Sequence, residues 1–242
     1  MVYEDLTTYT EVDTANVWSE TTTRCTGTNV RRDSDSYVYK SYGANHFGDF
    51  EHLLDVCVTG VPTDHGYLGM WSLSTAPESL VDLPAGSLVV EMQYVNTGDS
   101  RMYLRIWGGA TDTWSGFVVG TTYYLRIKRA TTAFTCKIYN TAANRDANGA
   151  TGLIDTLSLT SGTTLFEYVQ CGFGGKVADA YAAKTQSGYS ENLDLQEAVE
   201  AVPASSSIVP IMHGVGMFAV PHKHKFPSFN SRFPKIIPRG LI

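Results

Sequence analysis

Residues 101–108, RMYLRIWG, and residues 122–129, TYYLRIKR, write Tyr-Leu-Arg-Ile twice within one short region. Side chains alternate across a strand. Met102, Leu104 and Ile106 therefore share one face and Tyr103, Arg105 and Trp107 the other, while Leu125 and Ile127 oppose Tyr124, Arg126 and Lys128. The following ATTA (130–133) reads as a hairpin turn onto a strand with Phe134, Cys136 and Ile138 inward and Thr135, Lys137 and Tyr139 outward. Nothing resembling the tetrapeptide recurs elsewhere, whereas a repeat architecture needs at least three units. The two copies are read as two strands of one sheet that meet the same environment on each face.

The same texture extends in both directions. Short alternating runs at 36–40, 49–58, 66–74, 87–95, 134–140, 152–160 and 166–174 are separated by turn residues, the pattern of an all-β sandwich. No window sustains a helical period; a short helix is allowed between residues 191 and 202. A 242-residue chain with 43% hydrophobic and 17% charged residues is large enough to bury a core. No run approaches the length of a membrane span, and MVYEDLTTYTEV lacks the basic and apolar regions of a signal peptide, so the chain is expected to be soluble and made without a leader. There is no Asn-x-Ser/Thr sequon.

The segments FGDFEHLLDVCV, GTTYYLRIKRATTAFTCKIYN, LIDTLSLT and SGYSENLDLQE, in that order, resemble the concanavalin A-like lectin/glucanase superfamily in its laminin-G-like and pentraxin-like forms. The resemblance covers about residues 1–196 and implies a jelly roll of two antiparallel sheets, one concave, with the last strand near YSENLDL returning beside the first. It also suggests the divergent members found in viral, phage and environmental sequence. The expected organisation is a jelly-roll domain over 1–200 and an extended, proline-rich C-terminal arm over 201–242.

Cys25, Cys57, Cys136 and Cys171 are widely spaced and form no Cys-x-x-Cys pair. They are read as buried free thiols in strands, with one disulfide as the alternative. Glycoside hydrolysis by retention needs two carboxylates about 5 to 5.5 Å apart, and the superfamily's Glu-x-Asp-x-x-Glu strand motif is missing. The nearest substitute is Asp49, Glu51 and Asp55 on one face of the 49–58 strand, read as solvent-facing carboxylates. There is no Gly-x-Ser-x-Gly elbow. His222 and His224 sit among lysines that would repel a cation. Asp146, Asn148 and Gly149 form a fragment of a calcium loop without the bidentate Glu, and Asn148-Gly149 is read in preference as a turn, which needs φ > 0. No cofactor is expected beyond this weak calcium candidate, and no catalytic activity.

What remains is Tyr103, Arg105, Trp107, Tyr124, Arg126, Lys128, Lys137 and Tyr139, expected on neighbouring strands. Aromatic faces stack on sugar rings and cationic donors bind hydroxyls or carboxylates, so this set is a candidate glycan-binding face; the same residues also make good cross-strand pairs on an ordinary solvated sheet.

Lys223, Lys225, Arg232, Lys235 and Arg239 are the only charged residues after Glu200; the other 13 basic and all 24 acidic residues precede Ala201, which leaves the first 200 residues at −11. An acidic body disfavours nucleic acid as a partner. The arm carries six prolines together with Phe218, Phe226, Phe229, Phe233, Ile236 and Ile237, too much proline for a helix and too much apolar surface for a disordered tail. Its expected role is docking, to a second copy or to another assembly or capsid protein. The leading expectation is thus a non-catalytic structural subunit, a decoration or fibre-associated protein at a virion or particle surface, with glycan binding on the jelly-roll face. The alternative is a stand-alone carbohydrate-binding module, with a glycoside hydrolase as the remote third reading.

Overall fold

A computed structural model describes residues 2–197. The arm residues Phe218, Phe226, Phe229, Phe233, Ile236 and Ile237 lie outside the described residues. Fourteen strands and one short helix make up the described part: β1 (Thr10–Val12), β2 (Trp18–Glu20), β3 (Arg24–Arg31), β4 (Tyr37–Ser41), β5 (Phe50–Gly60), β6 (Gly66–Ser74), β7 (Leu88–Asn96), β8 (Asp99–Ile106), β9 (Thr111–Ser115), β10 (Tyr123–Ala130), β11 (Ala133–Tyr139), α1 (Ala142–Ala147), β12 (Leu153–Thr160), β13 (Tyr168–Phe173) and β14 (Thr185–Glu197). They form two seven-stranded antiparallel sheets. The first has the order β1-β4-β13-β6-β7-β8-β9 and the second β12-β11-β10-β5-β14-β3-β2. This is the two-sheet jelly roll expected from the sequence.

Alternation places the core between the sheets. Leu68, Val90, Met92, Met102 and Leu104 from the first sheet meet Leu54, Val56, Leu125, Ile127, Phe134, Cys136 and Ile138 from the second, all buried. Both Tyr-Leu-Arg-Ile copies obey the rule read from them, apolar in and Tyr/Arg out. Their placement corrects the expectation of one sheet: β8 belongs to the first sheet and β10 to the second. A sandwich demands the same inward pattern of both layers, so identical strings fit strands of opposite sheets. Backbone close approach helps to close the core near β3 and β13, where Gly27 and Gly172 lie against the Trp18 indole; a Cβ at either would sit 2.6 or 2.5 Å from its ring.

The β10–β11 hairpin pairs Tyr124 with Tyr139 through to Ala130 with Ala133. Thr131 takes φ +57 at the turn, an unfavourable region for a β-branched residue. It is held there by its N–H donating to Asp49 Oδ1 at 2.7 Å, while the Ser161 N–H donates to the Thr132 carbonyl at 2.7 Å. Asp49 thus stands just before β5 as a turn anchor rather than on its face. The residues 191–197, allowed a short helix by the sequence, are the end of β14. Nor does β14 return beside β1; it lies between β5 and β3, where its outward and inward positions complete the second sheet. The N-terminal segment meets it through the Glu4 N–H donating to the Leu193 carbonyl at 2.7 Å.

All four cysteines are free and buried, as the thiol reading expected. Part of the outer face of the first sheet is covered: Leu80 and Leu83 pack on Tyr67, Val89 and Phe173, with Tyr37 and Trp107 at the margin. At the edge of the second sheet, two N–H groups of β12 are taken by carboxylates, Thr156 by Asp155 Oδ1 and Ser158 by Asp112 Oδ2, both at 2.7 Å.

Candidate binding cleft

The eight residues of the expected glycan face divide between two outer surfaces. Tyr103, Arg105 and Trp107 are on the first sheet, where they are occupied. Arg105 lies over the Tyr103 and Trp107 rings and donates to Glu91 Oε1 at 2.6 Å. Glu91 is fully buried, and burial raises its carboxyl above the usual range while Arg105 pulls it back. Trp107 is committed to the apolar patch with Leu80 and Leu83.

Tyr124, Arg126, Lys128, Lys137 and Tyr139 come together on the outer face of the second sheet. The register sets Arg126 beside Lys137 and Lys128 beside Thr135 across β10–β11, and Lys128 beside Glu51 across β10–β5. Over this surface sits α1. Thr141 caps its start by accepting from the Asn144 N–H at 3.2 Å, and Asn148 ends it at φ 49. Arg145 of α1 is wholly buried and ion-paired with Asp55 of β5; its Nε also donates to Asp146 Oδ1 at 3.0 Å. Asn192 of β14 donates to the other Asp55 oxygen at 2.8 Å. Burial pushes the Asp55 carboxyl up, against the pull of Asn192 and Arg145.

This pin brings Asn148 over β11, where its Oδ1 accepts from Lys137 Nζ at 2.9 Å and from the Tyr139 hydroxyl at 3.3 Å. The result is an open cleft of about 110 Å³ lined by Glu51, Arg126, Lys128, Thr135, Lys137 and Asn148, room for several waters or a small polar group. Arg126 forms its floor, paired with Glu51 and donating through Nη1 to the Arg145 carbonyl at 3.3 Å. Its Nε is buried with no acceptor among the described residues. Tyr139 is fully buried and Tyr124 half-buried beneath Arg145, so the cleft presents hydrogen-bonding groups rather than aromatic faces.

The oxygens of the calcium candidate are engaged by protein donors, Asp146 by Arg145 and Asn148 by Lys137 and Tyr139. No group of three or more metal-ligating side chains occurs among the described residues. Glu51, Thr135 and Asn148 were not read as members of the binding face. The outward positions of Glu51 on β5 and Thr135 on β11 were legible by alternation, whereas the pairing of β5 with β10 and the docking of the helix end that carries Asn148 join positions far apart in the chain.

No protein-family model and no curated protein matches the sequence. Among solved structures, a functionally unknown protein from Saccharomyces cerevisiae is similar over 80% of this chain and 98% of its own, with a TM-score of 0.51 and 10% identity. The marine PL7 alginate lyase AlyA1 from Zobellia galactanivorans matches over 78% of this chain and 76% of its own, with a TM-score of 0.42 and 11% identity. The VIP36 exoplasmic/lumenal domain in its Ca2+/Man2-bound form matches over 83% and 85%, with a TM-score of 0.49 and 10% identity. The likeness is one of fold, the concanavalin A-like jelly roll that the sequence resembles.

Proposed function

We propose that the chain is a non-catalytic saccharide-binding jelly roll that holds sugar at the cleft on its second sheet. We further propose that it works as a subunit of a larger assembly, of the virion-surface or decoration kind, docked through residues 201–242. The observation that supports binding is the cleft itself. Cationic donors from β10 and β11, the Glu51 carboxylate, the Thr135 hydroxyl and Asn148 converge on one small space, a mixture of donors and acceptors suited to a polyhydroxylated ligand. The reading against glycoside hydrolysis is supported by the outward carboxylates of β5. Glu51 is tied to Arg126 and Asp55 to Arg145, so neither is one of two free carboxyl groups facing a shared bond. Docking is supported by the division of charge, +5 over residues 201–242 against −11 over residues 1–200.

Binding is tested by applying the full chain to a glycan array beside a Thr135→Trp variant, in which an indole fills the cleft. Glycan signals from the parent chain should vanish in the variant while its circular dichroism spectrum is unchanged. Signals that survive the indole would move the site elsewhere; an array silent for both chains would remove the saccharide reading.

A further inference from the structure

We infer that the saccharide taken by this cleft is an acidic one, carrying a carboxylate or sulfate that sits between Lys128 and Lys137. The inference rests on the saccharide reading and concerns charge. Three cations line the cleft against one carboxylate. Arg126 and Glu51 cancel as an ion pair. Lys128 is exposed and has no ion-pair partner among the described residues. Lys137 is held only by the neutral Asn148 amide oxygen, a contact that fixes the ammonium without neutralising it. The cleft is therefore left with two positive charges inside a body at −11.

The other carboxylates around this outer face are held elsewhere and do not line the cleft. Asp55 is bound by Arg145 and Asn192, Asp146 by Arg145, Asp194 by the Gln196 amide and Glu191 by Arg24 at 2.7 Å. Lys128 and Lys137 are diagonal neighbours across β10 and β11, a backbone separation of about 7–8 Å. Long flexible ammonium side chains reach a single anionic group from both sides at that spacing. An acidic sugar supplies the missing countercharge; a neutral sugar does not.

The test is calorimetric titration of the full chain with trigalacturonate, a sulfated chondroitin-type disaccharide and the neutral maltotriose, at low salt and at about 0.5 M NaCl. At low salt at least one acidic probe should bind about tenfold or more tighter than maltotriose, and which one does so tells carboxylate from sulfate. That advantage should disappear at high salt and in a Lys128→Met/Lys137→Met variant with an unchanged circular dichroism spectrum. Because both side chains are on the surface and the salt arm uses the parent chain, a poorly folded variant leaves the test decisive. Equal affinity for maltotriose, or an acidic preference insensitive to salt, would overturn the acidic inference while leaving saccharide binding in place. Silence of all three probes with a neutral hit on the array would do the same, and silence of both would remove the saccharide reading as well.

Discussion

His52 points into the sandwich, with ring centroids 5.3, 4.6 and 5.6 Å from those of Phe47, Phe50 and Trp71. Neither of its ring nitrogens has a hydrogen-bond partner among the described residues. Burial, with a lesser contribution from His46, lowers its pKa to about 3, whereas an unfolded histidine titrates near 6.5. Below about pH 6.5 the unfolded chain takes up a proton that the folded chain refuses. Stability therefore falls as pH drops from about 6.5 towards 3, by up to about 1.4 kcal/mol per pH unit. Unfolding free energies from urea titrations at pH 7 and pH 4.5 should differ by about 2 to 3 kcal/mol from this group, and His52→Leu should remove that share; an unaltered pH dependence in the variant would assign the acid sensitivity to other residues. Alternation in residues 49–58 was enough to turn His52 inward with Leu54 and Val56. Phe50, two residues away on the same strand, follows from the same alternation, whereas Trp71 on β6 and Phe47 in the loop before β5 are announced by no such pattern.

At the scale of elements, α1 is the piece that converts a sheet face into a cleft. Six residues with no helical period were invisible to periodicity, and the helix is fixed by tertiary contacts rather than propensity. Arg145 is the pin. Replacing it with Met leaves Asp55 buried with Asn192 as its remaining partner, at an expected cost of about 3–5 kcal/mol. Chemical denaturation should register that loss, and Asp55→Asn in the same chain should recover part of it. As a positioning residue, Arg145 should also affect the affinity of any cleft ligand through Asn148, an effect the stability measurement does not contain. A variant as stable as the parent would mean that the Arg145–Asp55 pair does not hold α1 down. The strands themselves were far more legible: β5 to β8 and β10 to β13 all fall on the runs read from the sequence. The short β1, β2 and β9 offered too few residues to alternate. The division of Tyr103 and Tyr124 between sheets was unreadable, because inward apolar and outward polar is the same signature in either layer.

The whole molecule pairs an acidic jelly roll with a basic, aromatic C-terminal segment. Two complete seven-stranded sheets lie within residues 2–197, so a chain ending at Ala204 should keep its strand-dominated circular dichroism spectrum and its melting transition. Burying each of Phe226, Phe229 and Phe233 on a partner would contribute about 1.5–3 kcal/mol before ordering costs. The shortened chain, and the full chain with Phe229→Asp and Phe233→Asp, should accordingly show a smaller native mass by light scattering than the parent. Unfolding on truncation would instead make the segment part of the domain's own core and end the docking proposal.

The carboxylates along β12 bear on how copies could be arranged. An incoming strand would have to displace Asp155 and Asp112 from the very N–H groups it needs, and would meet their negative charge as it did so. Lateral annealing of sandwiches into a continuous ribbon is thereby discouraged along this border. Copies that met along β12 would have to do so through side chains, so this border acts as a spacer between neighbouring sandwiches rather than a zipper.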